Sequence, residues 1–308
     1  MAADHQAASG IWFSETHTHA IQYKYRILDV HTMTKSKYQD VWIVTLEGYG
    51  KALILDSKIQ SAQLDEFMFH EPMVHPAMFT HPDPKRVLVA GGGEGATLRE
   101  VLRHKSVESA TMVDIDDELV KLCDQHMPEW HQGAFVDPRT TMIYDDAMKV
   151  IANNKNAYDV VISDLTDPLE AGPSQFLFTK EFYQSIYESL TDDGVLAVQA
   201  GAADPLYPYL FGCIVKTLGE VFPVVHGYWS FVAGFLLPWG FVVASKKHDP
   251  LKLTPEEIMA RIESRRVTGL QYYSPFVHFG MFGLPPYLTK VIQEARVLTN
   301  DQPYSWEA

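Results

Sequence analysis

Four acidic groups, each standing just past an apolar run, carry most of the chemistry this chain can offer. Val87-Leu88-Val89-Ala90 leads into Gly91-Gly92-Gly93-Glu94-Gly95 and then into a helical pattern from Ala96. That order predicts a strand, a tight turn and a helix. Glycines at 91, 93 and 95 let the backbone approach a ligand where a side chain would clash. Glycine spacing alone is weak, because many nucleotide sites share it. Glu94 is the unusual member: a carboxylate inside the loop repels a phosphate or a carboxylate and welcomes a cation. Asp114-Ile115-Asp116 follows the glycines by about 20 residues, where a ribose-binding acid is expected. Asp145-Asp146 follows a third apolar run, and Asp164 follows a fourth, ahead of Leu165-Thr166-Asp167-Pro168. Any one of these acids is more often a helix cap or loop carboxylate. As a set in register, they point to one crevice for a nucleoside with a positive tail.

The acids divide the work by position. Asp114 is placed to accept hydrogen bonds from ribose hydroxyls. Asp146 is placed for the exocyclic amine of adenine, with the Ala147 N–H toward a ring nitrogen. Glu94 faces an ammonium. Asp164 and Asp167 face a second cation, and the stretch that continues through Glu170 to Gly172-Pro173 forms an acidic loop able to close over substrate.

The elements that must position these groups are readable from periodicity. Residues 11 to 64 read as β, with strands at Tyr25–Val30, Asp40–Leu46 and Ala52–Leu55 and a turn at Glu47–Lys51. Asp65–Phe79 reads as a linking helix. From Arg86 strand and helix alternate. Strands are expected at Arg86–Ala90, Ala110–Asp114, Thr140–Tyr144, Val160–Ser163 and Val195–Gln199, and helices at Thr97–His104 and Asp117–His126. Val224–Tyr228 and Trp239–Ala244 read as a closing strand pair, with late helices at Pro255–Arg265 and Pro286–Gln293. The pattern predicts an α/β protein: a small antiparallel β domain over 11–70, then a Rossmann-like parallel-sheet domain over 71–308. In such sheets the ligand sits beyond the carboxyl ends of the strands.

Composition narrows the partners. The 308 residues carry a net charge of −14, with 46% hydrophobic and 21% charged residues. An acidic surface disfavours nucleic acid and raises the local concentration of a cationic substrate. No apolar run is long enough to span a membrane, and Met1–Gly10 has no basic, apolar leader, so a cytoplasmic enzyme is expected. Two cysteines, Cys123 and Cys213, give neither a disulfide framework nor a metal motif and read as buried small apolar residues. His70-Glu71 with His75 has HExxxH spacing, which misses the zinc-binding turn. His126, Glu129 and His131 read as solvated or hydrogen-bonded groups. No metal is expected.

Together, Gly91–Gly95, Val113–Asp116, Asp145–Ala147 and Asp164–Pro168 resemble the polyamine aminopropyltransferases, the spermidine synthase family. The resemblance extends through Leu55–Ser61, Asp65–Glu71, Phe178–Tyr183 and Gln199–Gly201. It implies a β-rich N-terminal domain, a methyltransferase-type Rossmann domain and a homodimer or homotetramer. It implies transfer of an aminopropyl group from decarboxylated S-adenosylmethionine, a co-substrate rather than a tightly bound cofactor, onto a polyamine, with release of methylthioadenosine. The resemblance assigns Gln60 and His70 to the nucleoside and aminopropyl side, together with Gly91, Gly93 and Glu94. Asp114 and Ile115 take the ribose and adenine, and Asp145, Asp146 and Ala147 the adenine end. Asp164 is the general base and Asp167 holds an acceptor amine. Glu170, Gln199, Gly234 and Trp239 are placed on the acceptor side.

Two departures bear on the acceptor. Phe69 stands where the family usually has tyrosine, and Val232–Trp239 lacks the tyrosine of the usual late Thr-Tyr-Pro-Ser-Gly run. Gly234 leaves room for a longer amine. These departures speak against a putrescine-specific pocket, and the Asp167–Pro173 stretch resembles thermospermine synthases, with spermidine as acceptor. His126–Gly133 resembles enzymes acting on agmatine, and putrescine is the common family acceptor. Two other readings stay open: a methyltransferase, and a polyamine-binding protein without chemistry.

Overall fold

The computed structural model describes residues 10–168 and 173–304. The chain divides into two compact units, Met1–Glu66 and Phe67–Ala308.

The first unit is a five-stranded antiparallel sheet of β1 (Ile11–Thr18), β2 (Ile21–Lys35), β3 (Asp40–Leu46), β4 (Gly50–Leu55) and β5 (Lys58–Ala62), in that order. Val41, Ile43, Leu46, Leu53 and Ile54 form its core. Asp56 and Ser57, both at positive φ, close the two-residue β4–β5 hairpin, the backbone a tight hairpin with right-handed twist requires. On β1 and β2 Ile11, Trp12, Leu28, Val30 and Met33 stay exposed within the single chain.

The second unit opens with α1 (Phe67–Thr80) and alternates thereafter: β6 (Arg86–Gly91), α2 (Ala96–Arg103), β7 (Ser109–Asp114), α3 (Asp117–His126), α4 (Pro128–His131), β8 (Thr140–Tyr144), α5 (Ala147–Asn153) and β9 (Tyr158–Asp164). It continues with α6 (Lys180–Ser189), β10 (Leu190–Ala202), α7 (Tyr209–Leu218), β11 (Val224–Val232), β12 (Leu237–Ser245), α8 (Pro255–Ser264), α9 (Pro275–Met281) and α10 (Pro286–Glu294). The sheet order is β11-β12-β10-β9-β6-β7-β8. β10 through β8 run parallel, and β12 and β11 close the edge antiparallel. The expected α/β architecture is therefore present. Strand alternation builds two cores: Val87 and Val89 face one, with α1 and α2, while Leu88 and Ala90 face the other, with α6 and α7. Among the described residues, no helix is long and apolar enough to cross a membrane.

α1 is helical despite Pro72 and Pro76 in its interior. Each proline lacks the N–H that would serve the carbonyl four residues back. The orphaned Pro72 carbonyl accepts from Tyr228 Oη at 2.8 Å and the orphaned Met68 carbonyl from Ser230 Oγ at 2.9 Å, two hydroxyls on one face of β11. Glu71 then accepts the backbone N–H groups of Gln271, Tyr272 and Tyr273 at 2.7–2.9 Å. The helix is held from several sides before His70, which it carries, does anything.

Candidate active site

Strand register sets the acids level with one another. Gly91 pairs with Asp164 across β6 and β9, Ala90 with Val113 across β6 and β7, and Asp114 with Tyr144 across β7 and β8. This crowding dictates glycine at 91 and leaves little room for a side chain at 93. Gly91 sits at φ +80°, and a Cβ there would lie 2.1 Å from the Asp164 carbonyl oxygen. A Cβ at 93 would come within 3.0 Å of Asp114 Oδ2 and of Leu119.

Asp164 is the centre of the row. Thr97 Oγ1, in the first turn of α2, donates to Asp164 Oδ2 at 2.5 Å. Burial pushes the carboxyl above the ordinary aspartate value; His70 and the Thr97 hydrogen bond pull it down, and the Glu94 charge pushes it up again. Glu94 is buried and its Oε1 lies 2.8 Å from His70 Nε2. One carboxylate oxygen is thus engaged by α1, and His70, Glu94 and Asp164 form one electrostatic group.

Asp114 is raised to about 6, chiefly by burial, with the Asp116 and Asp164 charges adding and the Asp116 and Ile115 N–H groups opposing. Its Oδ1 accepts from the Asp116 N–H at 2.9 Å. Asp116 caps α3 through the Leu119 N–H at 3.0 Å. Asp146 caps α5 through the Met148 N–H at 2.9 Å, which uses Oδ1. Asp145 is exposed, accepts the Asp146 N–H at 2.7 Å and lies 3.7 Å from Lys149 Nζ. Ile115 is exposed on the loop after β7, and Ala147 is buried at the start of α5. Gln60 is on β5 of the first unit, where its Nε2 donates to the Lys58 carbonyl at 3.3 Å.

On the other flank of β9, Gln199 joins two expected residues, Asp167 and Trp239, through its amide. Nε2 donates to the Leu165 carbonyl at 2.5 Å and to Asp167 Oδ1 at 2.8 Å. Oε1 accepts from the Gly201 N–H and from Trp239 Nε1, each at 3.1 Å. Gln199 braces Asp167 and Trp239, and its amide is occupied by the protein. Gly234 is buried in a single 3₁₀ turn between β11 and β12. The neighbouring Phe235 ring packs on Trp239 at 4.8 Å and on Phe69 at 6.0 Å. Phe69, the expected tyrosine position, is buried against Phe241 at 5.4 Å. Glu170 lies outside the described residues.

The HExxxH residues are occupied separately: His70 by Glu94, Glu71 by three backbone N–H groups, and His75 by His104 Nε2 and Glu100 Oε2, each at 3.0 Å. His131 accepts the Gly133 N–H and stacks on Phe135. Both cysteines are buried. Sequence reasoning assigned no role to Thr97, whose place two residues past Gly95 was the available signal. It put Glu94 and His70 on the same side of the site but gave no sign that they pair directly.

Residues 66–254 match the spermine/spermidine synthase domain, and residues 11–63 match the spermidine synthase tetramerisation domain. Polyamine aminopropyltransferase 2 of Hyperthermus butylicus is 42% identical over 273 residues, covering 89% of each chain. The polyamine aminopropyltransferase of Aeropyrum pernix is 41% identical over 296 residues, 94% of this chain and 93% of its own. A spermidine synthase solved in complex with the transition-state analogue AdoDATO superposes with a TM-score of 0.86 at 33% identity, over 95% of this chain and 98% of that one.

Proposed function

The chain belongs to the spermine/spermidine synthase family and is a polyamine aminopropyltransferase; we propose that Asp164 is its general base and spermidine its favoured acceptor, giving thermospermine. Family membership closes the two readings left open by the sequence, methyl transfer and binding without chemistry.

The observation that carries the reading is Asp164 at the strand-end row, beside Glu94 and His70 and oriented by Thr97. An alkyl ammonium titrates near ~10.4 and cannot attack while protonated. Asp164 attracts the cation and accepts its proton, and its raised basicity suits that transfer. The neutral nitrogen attacks the carbon next to the sulfonium. A C–N bond forms, the C–S bond breaks with its electron pair going to sulfur, and methylthioadenosine leaves as a neutral thioether. Glu94 holds the aminopropyl ammonium and Asp114 the ribose hydroxyls. Ile115, Asp145, Asp146 and Ala147 form the adenine end, and His70 completes the nucleoside side. The remaining catalysis is alignment of nitrogen, carbon and sulfur.

The acceptor assignment rests on the hydroxyl-free Phe69–Phe235–Trp239 wall, on Gly234, and on Asp167 braced by Gln199, with Glu170 available for a further ammonium. A buried unmatched ammonium is costly, so acids should follow amines in number. Purified protein with decarboxylated S-adenosylmethionine and putrescine, agmatine or spermidine, each offered alone, tests it by product chromatography. Thermospermine should form fastest, and Asp164→Asn should slow it by about 10²–10⁴-fold. Preference for putrescine or agmatine overturns the acceptor assignment. Near-normal activity of Asp164→Asn overturns the base. The exposed apolar residues of β1 and β2 and the match to the tetramerisation domain support assembly of copies of this chain through the first unit, as a homotetramer or a homodimer.

A further inference from the structure

A second concave site lies at the opposite end of the parallel sheet. β6 begins at Arg86, and its amino-terminal end faces away from the crevice. There the segment before β6, the turn after α2 and the end of α8 enclose a cleft of about 450 Å³. Lys85, Lys105, Arg261, Arg265 and Arg266 line it, against the single acid Asp83. This is an unusual concentration in a chain with 25 basic and 39 acidic residues.

Part of the cluster has structural work. Arg265 donates to the carbonyls of Met78, His81 and Pro82 at 2.5–2.8 Å, and Arg261 to those of Phe79 and Thr80, so the two cap the C-terminus of α1. Those acceptors are neutral, and Asp83 near Arg265 and Glu257 near Arg261 offset the guanidinium charges through space without a direct ion pair among the described residues. Burial, reinforced by the Arg261 charge, pushes Arg265 down to about 10, as expected for cations crowded together. Lys85 is paired with Asp83 at 3.3 Å and Glu108 at 3.5 Å.

The rest is unaccounted for. Arg266 is exposed, sits at φ +51° and has no ion pair among the described residues. Lys105 Nζ donates to the Leu102 carbonyl at 3.3 Å, lies in the field of Asp137, and has no direct ion pair among the described residues. Ser106 Oγ is buried with no hydrogen-bond partner among the described residues. A buried hydroxyl without an acceptor is costly and calls for one. An acceptor that also carries charge would answer the hydroxyl and the surplus cations together. A small concave volume suits a compact anion rather than a polymer.

We propose that this cleft binds a small phosphate-class oxyanion, held by Lys105, Arg266 and the Ser106 hydroxyl in the field of Arg261 and Arg265. Guanidinium and ammonium groups together match a multiply charged oxyanion better than a single carboxylate.

Inorganic pyrophosphate titrated into the full-length protein by calorimetry, at constant ionic strength, tests the proposal. Saturable one-to-one binding is expected, tighter than for inorganic phosphate. Loss of two charge-assisted contacts in Lys105→Ala/Arg266→Ala should weaken it by about tenfold or more. Ser106→Ala should weaken it less, and, by removing the unsatisfied hydroxyl, should raise the melting temperature of the anion-free protein. Both variants should keep the wild-type rate of aminopropyl transfer. Absence of saturable heat, or wild-type affinity in the double variant, overturns the site. So does a short DNA duplex that binds through the same residues more tightly than pyrophosphate, which would make the cleft part of a macromolecular surface.

Discussion

Replacing Asp114 by asparagine should make the empty protein more stable and its nucleoside binding weaker. Burial raises the carboxyl from 3.8 to about 6, helped by the charges of Asp116 and Asp164. The folded state therefore holds this proton more tightly than the unfolded chain. Between those two values the folded state binds more protons, so stability falls as pH rises, and above about 6 the loss is complete. At ~1.36 kcal/mol per pH unit the shift corresponds to roughly 3 kcal/mol. Asparagine is neutral throughout, and its Oδ1 can still accept the Asp116 N–H that Asp114 accepts at 2.9 Å. Urea unfolding should show the variant more stable by up to about 3 kcal/mol near pH ~8, with little difference near pH ~4. Binding moves the other way. Hydrogen bonds to an ionised acceptor are worth about 1.5–3 kcal/mol, so methylthioadenosine affinity should fall by about tenfold or more. In the wild-type protein that affinity should rise with pH through about 6. Equal stability of the two proteins at high pH, or unchanged methylthioadenosine affinity in the variant, would refute the reasoning.

Glu94→Gln should weaken decarboxylated S-adenosylmethionine more than methylthioadenosine, which lacks the ammonium; equal losses by calorimetry would remove the charge pairing. Gln199→Leu strips partners from Asp167 Oδ1, the Gly201 N–H and Trp239 Nε1. Steady-state kinetics should show KM for the polyamine rising more than KM for the aminopropyl donor, and a rise in the donor KM alone would contradict the bracing role. Glu100 holds its proton less tightly than usual: burial opposes ionisation, but His75, Arg99 and Arg103 outweigh it. Glu100→Gln leaves Arg99 and Arg103 without their buried anionic partner and should cost about 3–5 kcal/mol in unfolding experiments, whereas a loss of a few tenths would mean that the cluster is solvated.

The row of acids was legible because it is a local signal. An apolar run must end where its strand leaves the sheet, and in a parallel sheet all such ends lie on one rim. Glu94, Asp114, Asp145 and Asp164 each follow a run, so their level could be read without coordinates. Asp40–Leu46, Thr140–Tyr144 and Asp117–His126 have the same bounds in the sequence reading and in the structure, because periodicity and capping both speak there. Asp116 and Asp146 show the limit of such signals. Their spacing looks like that of the ligand-facing acids, yet each spends an oxygen on a helix N-terminus.

What the sequence determined by itself is the fold class, the rim and the carboxylates on it, since these follow from patterns among neighbours in the chain. Tertiary structure alone decided how those groups are held. Thr97 meets Asp164, His70 meets Glu94, and Gln199 ties Asp167 to Trp239. Two interior prolines are tolerated in α1 because Tyr228 and Ser230 supply the missing donors. Each of these pairs joins residues far apart in the chain. No local periodicity encodes such a meeting; it exists only once packing brings the elements within hydrogen-bond reach.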